Sequence, residues 1–244
     1  MKKKKLLQIL SSIVLIIAFI LLGFKLLYHP APANEIKTSE ETKEEIEIND
    51  PEVSEKDTIK VSPDVDLAAE RTKNKNNDIV ARLEIPDLFN ILVVKGKDNT
   101  YYLDRSITKK KDIKGTEFMD YRNNIDDKQI NIYGHNSRTF DIPFRKLENY
   151  LDEDFFNENP YIILQTENGR RIYKIFSIKE DSGDYEHMSI NKTGPDFIVH
   201  MVKLQKDSIH SRQVEFTEDA NLLILQTCSY GKDDTYYVIS AIEI

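Results

Sequence analysis

The sequence predicts a mainly β domain, a barrel or sandwich with short helices, preceded by one transmembrane helix. Short apolar runs bounded by turn residues recur from residue 79 to 242, the pattern of strands. Helical spacing is confined to brief stretches, which argues against a helix-rich fold. Lys2, Lys3, Lys4 and Lys5 precede an apolar stretch from Leu6 to Tyr28, long enough for the roughly 20 residues that cross a bilayer.

That N-terminal stretch is interrupted only by Gln8, Ser11, Ser12 and Lys25. A removable secretory core is shorter, about 7–15 residues, so length favours a retained anchor over residues 1–28. The rival reading is cleavage after Ala31-Pro32-Ala33. The four lysines place the N-terminus in the cytoplasm and the rest of a single-pass membrane protein outside the cell. From Glu35 to Asp57 ten acidic residues face three lysines, and the apolar residues read as few and aperiodic. Residues 29–63 are therefore expected to form an acidic, flexible tether. Net charge is −8, and no basic stripe with interleaved aromatics occurs, which excludes a nucleic-acid binder. Residues 64–244 suffice for one buried domain.

Along that domain, 64–76 reads as helix with Asp64 as its cap. Residues 79–85 alternate like a half-buried strand ending at Pro86-Asp87, and 91–94 suit an inner strand. Residues 101–103 and 116–120 read as strand ends or folded loops. Residues 129–133 form a strand leading into Gly134-His135. Phe144, Leu147 and Tyr150 repeat every third residue, a short helix. Strands at 161–165 and 171–179 flank Asn168-Gly169, a hairpin signal. Phe197, Met201 and Leu204 give 195–211 helical spacing. Residues 222–227 and 236–242 make a last strand pair.

Cys228 is the sole cysteine and closes the run from Leu222 to Thr227. With no disulfide partner in its own chain, it is either a small buried hydrophobe or a nucleophile. A nucleophilic thiol needs a base, and five histidines compete for that role. His29 lies at the membrane boundary, His187 reads as a polar-loop residue, and His200 and His210 fall on the expected helix. His135 alone follows a strand and a glycine, at Asn131-Ile132-Tyr133-Gly134-His135-Asn136. The chemistry asks for no metal or other cofactor, and no tight cluster of metal ligands stands out.

Four blocks carry a resemblance: residues 98–103, residues 115–123, Tyr133-Gly134-His135-Asn136 and Leu225-Gln226-Thr227-Cys228. From about Asp64 to Ile244 the chain resembles the class B sortases, membrane-anchored cysteine transpeptidases of Gram-positive bacteria. The resemblance implies a closed sortase-type β-barrel with short peripheral helices. It also implies catalysis by Cys228 and His135, and a substrate groove containing Asn99, Leu103, Tyr133 and Thr227. Such enzymes cut a C-terminal sorting signal of surface proteins, Asn-Pro-x-Thr-like in this class, at Thr. They hold it as a thioester and pass it to a cell-wall precursor amine (lipid II) or to a pilin lysine. The chain departs from the pattern in one place. The family has an arginine on the last strand, and here that position reads Tyr236. Tyr236 is the expected oxyanion donor, with Lys232, Arg105, Arg122 and Arg138 as alternative cations. The departure also leaves room for a weak or inactive sortase-like binding protein.

Overall fold

The computed structural model describes residues 34–48, 50, 57–181, 185–228 and 235–244. The expected anchor at 1–28 lies outside the described residues. Among those described, no helix is long and apolar enough to cross a membrane.

The body of the fold is a ring of antiparallel and parallel strands. Its members are β3 (Ile79–Ile85), β4 (Phe89–Lys95), β5 (Phe118–Met119), β6 (Gln129–Gly134), β7 (Tyr161–Thr166), β8 (Gly169–Asp181), β10 (Leu222–Cys228) and β11 (Tyr236–Glu243). The spatial order is β11-β10-β6-β5-β4-β3-β7-β8, and β8 pairs again with β11, which closes the barrel. A two-residue strand, β9 (His210–Ser211), adds to β8. The helices are α1 (Leu67–Asn74), α2 (Glu153–Glu158) and α3 (Pro195–Gln205).

Side-chain alternation explains the long apolar run before Cys228. Leu223 and Leu225 join Ile239 and Ala241 in the barrel interior. Leu222 and Ile224 point the other way, into a second cluster with Phe197, Met201 and Leu204 of α3. A strand covered on both faces reads as continuous apolar sequence.

The described residues of the segment expected as a tether include a strand pair. Strand β1 (Glu44–Ile48) pairs antiparallel with β2 (Asp57–Val61). Within the acidic run, Ile46, Ile48, Ile59 and Val61 alternate with polar residues, and Ile48 and Val61 are buried. That short period-two pattern outweighs the local charge. Asp50 is buried too, 2.7 Å from Lys174 Nζ. Upstream, the Ile36 amide donates to Asn90 O at 2.6 Å and the Leu92 amide to Asn34 O at 3.1 Å, joining the segment to β4.

Smaller expectations are also corrected. The cap of α1 is Asp66, whose side chain accepts from Ala68 and Ala69, whereas Asp64 accepts from Arg170 at 2.6 Å. Residues 143–151 form a 3₁₀ helix, the geometry in which every third residue shares a face; Phe144, Leu147 and Tyr150 are all buried. The hairpin turn is Glu167-Asn168, with Gly169 paired to Thr166. The last helix stops at Gln205, so His210 sits on β9 instead. Strand β3 is buried on both faces because Arg82 and Glu84, on its outer side, form an ion pair covered by residues 62–65. Glu84 accepts from Ser62 N at 2.9 Å, while Arg82 donates to Pro63 O and Gln165 Oε1 at 3.0 Å.

Removing one partner of a buried ion pair leaves the other charge uncompensated. Arg82→Met should lower stability by about 3–5 kcal/mol, and Arg82→Met/Glu84→Leu should recover much of that loss. The midpoints of urea unfolding give both values.

Candidate active site

The site assembles at the C-terminal ends of β6 and β10. These strands run parallel, in register from Gln129 beside Leu222 to Gly134 beside Thr227. The next residues along the two strands are His135 and Cys228, so the backbone brings the pair from separate sequence blocks to adjacent strand ends. On the far side β11 sets Tyr236 opposite Cys228. Asp181 of β8 stands opposite Tyr236 in turn. One row of positions thus crosses β8, β11 and β10 and ends at His135.

His135 is half-buried, and its Nε2 lies 2.5 Å from the Leu103 carbonyl oxygen. A carbonyl only accepts, so Nε2 carries the proton and Nδ1 is the nitrogen left free to act as base. The Leu103 carbonyl belongs to a 3₁₀ turn over Tyr101–Asp104, steered by Gly115 at φ 67°. A Cβ on Gly115 would stand 2.8 Å from Leu103 O and 2.9 Å from His135 Cδ2. Gly134 is equally constrained, since a Cβ there would lie 2.6 Å from the Phe144 ring and 2.9 Å from Glu117 Cγ. The Tyr-Gly-His motif is therefore steric: only glycine lets the strand end pass between Phe144 and Glu117.

Glu117 is buried beneath this strand end. Burial pushes its carboxyl up to about 7, against hydrogen bonds from the Phe144 amide and from Asn34 Nδ2 at 2.5 Å.

The expected groove residues divide into two pairs. Leu103 is 37% exposed, and Asn99, half-buried, accepts from the Tyr121 amide at 2.9 Å through Oδ1. Tyr133 instead lies beneath the surface at 8% exposure, and its hydroxyl donates to Asp120 Oδ2 at 2.7 Å. Burial opposes charge on Asp120, but donors from Arg122 at 2.6 and 2.9 Å hold its carboxyl down at about 2. Thr227 is 1% exposed, on the interior face with Leu223 and Leu225. Thr227 thus points into the barrel, while Tyr133 shares the outer face of β6 with His135 but is covered by its own neighbours.

Tyr236 is half-buried with its ring edge-on to Tyr185 at 6.0 Å. Among the alternative cations, Arg122 is engaged by Asp120. Arg105 bonds Asp104 at 3.0 Å and covers the Tyr101 ring at 4.7 Å. Lys232 lies outside the described residues.

His187 was missed by the sequence reading. Far from being a loop residue in solvent, it is fully buried, with Nδ1 2.8 Å from Asp181 Oδ2 and Nε2 2.7 Å from Gln226 Oε1. No local pattern announces it, because its burial depends on Gln226, 39 residues away, as well as on Asp181. His200 is likewise buried; burial lowers its pKa, opposed by Glu186.

No family model matches the sequence. The closed, mainly β barrel with few helices is the sortase fold, and solved structures share it. Clostridium perfringens sortase B superposes with a TM-score of 0.67 at 28% identity, covering 72% of this chain and 99% of that one. A Staphylococcus aureus sortase B–substrate complex does so with a TM-score of 0.66 at 24% identity, covering 73% and 84%. In sequence the chain is 30% identical over 162 residues to sortase B of Listeria monocytogenes, a match covering 65% of each and so just under two thirds of that relative. In sequence and in fold the chain is similar to the class B sortases.

Two substitutions probe the scaffold of the site. Gly134→Ala forces Phe144 and Glu117 apart and should cost about 1–3 kcal/mol, the usual penalty of overpacking, read from thermal unfolding. Glu117→Gln should act through pH. Because burial raises the folded-state pKa, the native protein holds this proton more tightly than the unfolded chain, and the resulting stability is lost as pH rises through about 7. The neutral amide escapes this loss, so Glu117→Gln should gain stability over wild type between pH 5 and pH 8, on the order of 3 kcal/mol. Parallel pH dependences for the two proteins would contradict the assignment.

Proposed function

We propose that the protein is a cysteine transpeptidase that cleaves a sorting signal and transfers the acyl part to an amine. The observation that carries this reading is the parallel register that sets His135, just past the end of β6, level with the chain's sole cysteine at the end of β10. A thiolate is the attacking form, and an imidazole beside it takes the thiol proton. In the proposed cycle Cys228 sulfur adds to the carbonyl carbon of the signal's Thr. The carbonyl oxygen becomes an oxyanion, and the Tyr236 hydroxyl donates to it. Collapse breaks the peptide bond as His135 returns the proton to the leaving nitrogen, which leaves a thioester. An incoming amine then attacks, loses its proton to His135 and expels the thiolate.

By family likeness the substrate is an Asn-Pro-x-Thr-like C-terminal signal, and the acceptor is a lipid II amine or a pilin lysine. The Staphylococcus aureus sortase B solved with substrate supports a peptide partner of this kind. The lysine-flanked apolar segment at 1–28 supports a membrane-anchored protein with its catalytic domain outside the cell.

The test mixes the full-length protein with a fluorogenic Asn-Pro-Ala-Thr-Asn peptide and a glycyl acceptor, and uses mass spectrometry to detect a thioester on Cys228. Cys228→Ala should abolish turnover, and His135→Ala should reduce it at least about a hundredfold. Tyr236→Phe removes one donor and keeps the ring; it should lower kcat/KM roughly tenfold or more, while Tyr236→Arg should match or exceed wild type. Near-normal turnover by Cys228→Ala would end this reading. Peptide binding without cleavage by wild type would instead identify an inactive sortase-like binding protein.

A further inference from the structure

The segment between β8 and α3 crosses the outer face of the barrel at residues 185–188. Its attachment to the strands has two parts. The main-chain carbonyl of residue 187 accepts from Gln129 Nε2 at 2.9 Å and from Asn131 Nδ2 at 2.7 Å, both on β6. That fastening requires no particular side chain. The imidazole makes separate bonds, to Asp181 on β8 and to Gln226 on β10.

An apolar side chain would fill this space but leave the buried Asp181 carboxylate and Gln226 amide without this partner. The partners of the ring suggest why a histidine stands there instead. Gln226 lies two residues before Cys228 on β10, and Asp181 stands directly opposite Tyr236. Tyr185 adds a third connection. It adopts φ 47°, ψ 31°, a left-handed conformation disfavoured for a bulky residue, and its ring meets both His187 at 6.3 Å and Tyr236 at 6.0 Å. The imidazole thus bridges the strands on either side of β11, next to both reacting positions.

We propose that His187 is a positioning residue, whose imidazole ties Asp181 to Gln226 and fixes the strand ends that carry the Cys228 thiol and the Tyr236 phenol. The role deepens the transpeptidase reading and rests on it. His187 exchanges no proton with substrate and acts only through its neighbours.

Because Cys228 is the sole cysteine, iodoacetamide alkylation of the full-length protein reports on one thiol without any substrate. Alkylation rates from pH 5 to 9 are measured for wild type, His187→Phe and His187→Gln, beside kcat and KM for the Asn-Pro-Ala-Thr-Asn peptide and thermal midpoints. His187→Phe should lower kcat about tenfold or more, leave KM within about twofold, and move the alkylation midpoint by roughly half a pH unit or more. His187→Gln retains an amide that can bond across the gap and should recover a substantial part of kcat. A folded His187→Phe with wild-type kcat and alkylation profile overturns the proposal and leaves the ring a packing element. Should His187→Phe fail to fold, His187→Gln and Asp181→Asn decide the matter, and unchanged profiles in both overturn it. If wild type cleaves no peptide, the transpeptidase reading falls, while the alkylation profile still decides the positioning role.

Discussion

The parallel pairing of β6 with β10 is the constraint on which the rest of the structure depends. Parallel neighbours cannot be joined by a tight turn, so the chain must leave at His135, travel around the molecule and return in the same direction. The intervening residues build β7, β8, α2 and α3, which close the barrel and cover its outer face. A slip of one residue in this register would turn Leu223 and Leu225 out of the interior and separate the two strand ends. The interior and the site are thus fixed together: side chains that pack in the barrel set the register, and the register sets which residues meet at its end.

Burying both faces of these strands has an electrostatic cost, because β6 carries Gln129, Asn131 and Tyr133 on its outer side. Each is met by a partner: the first two by the carbonyl of residue 187, the third by Asp120. Satisfied buried polar groups specify one geometry, whereas unsatisfied ones would favour rearrangement. The same economy appears on β3, where Arg82 and Glu84 answer each other under residues 62–65.

Much of this was legible in the sequence. The strands at 79–85, 129–133, 161–165, 171–179, 222–227 and 236–242 were legible as apolar runs, and the structure shows the run before Cys228 to be covered on both faces. The Tyr-Gly-His block was readable because a steric demand, glycine between Phe144 and Glu117, leaves a fixed residue type behind. What escaped notice had a common cause. The β1–β2 pairing was obscured because its two strands carry four acidic residues while only four apolar positions set the register. His187 looked like a loop residue because its neighbours in sequence are polar, and its burial arises with partners 6 and 39 residues away. Tyr133 and Thr227 carry the family pattern, yet Tyr133 is covered on the outer face and Thr227 points into the barrel. Sequence motifs register that a position is constrained without saying which side of the sheet constrains it.

Closure of the ring bears on how the protein exchanges its amide protons with solvent. An open sheet can lose an edge strand by fraying, but β10 has hydrogen-bonded neighbours on both sides and covered faces above and below. Its amides have no local route to water and exchange only when the whole barrel opens. Cys228 therefore terminates a strand that has no local route to exchange, so a chemistry placed there would be mounted on a rigid segment.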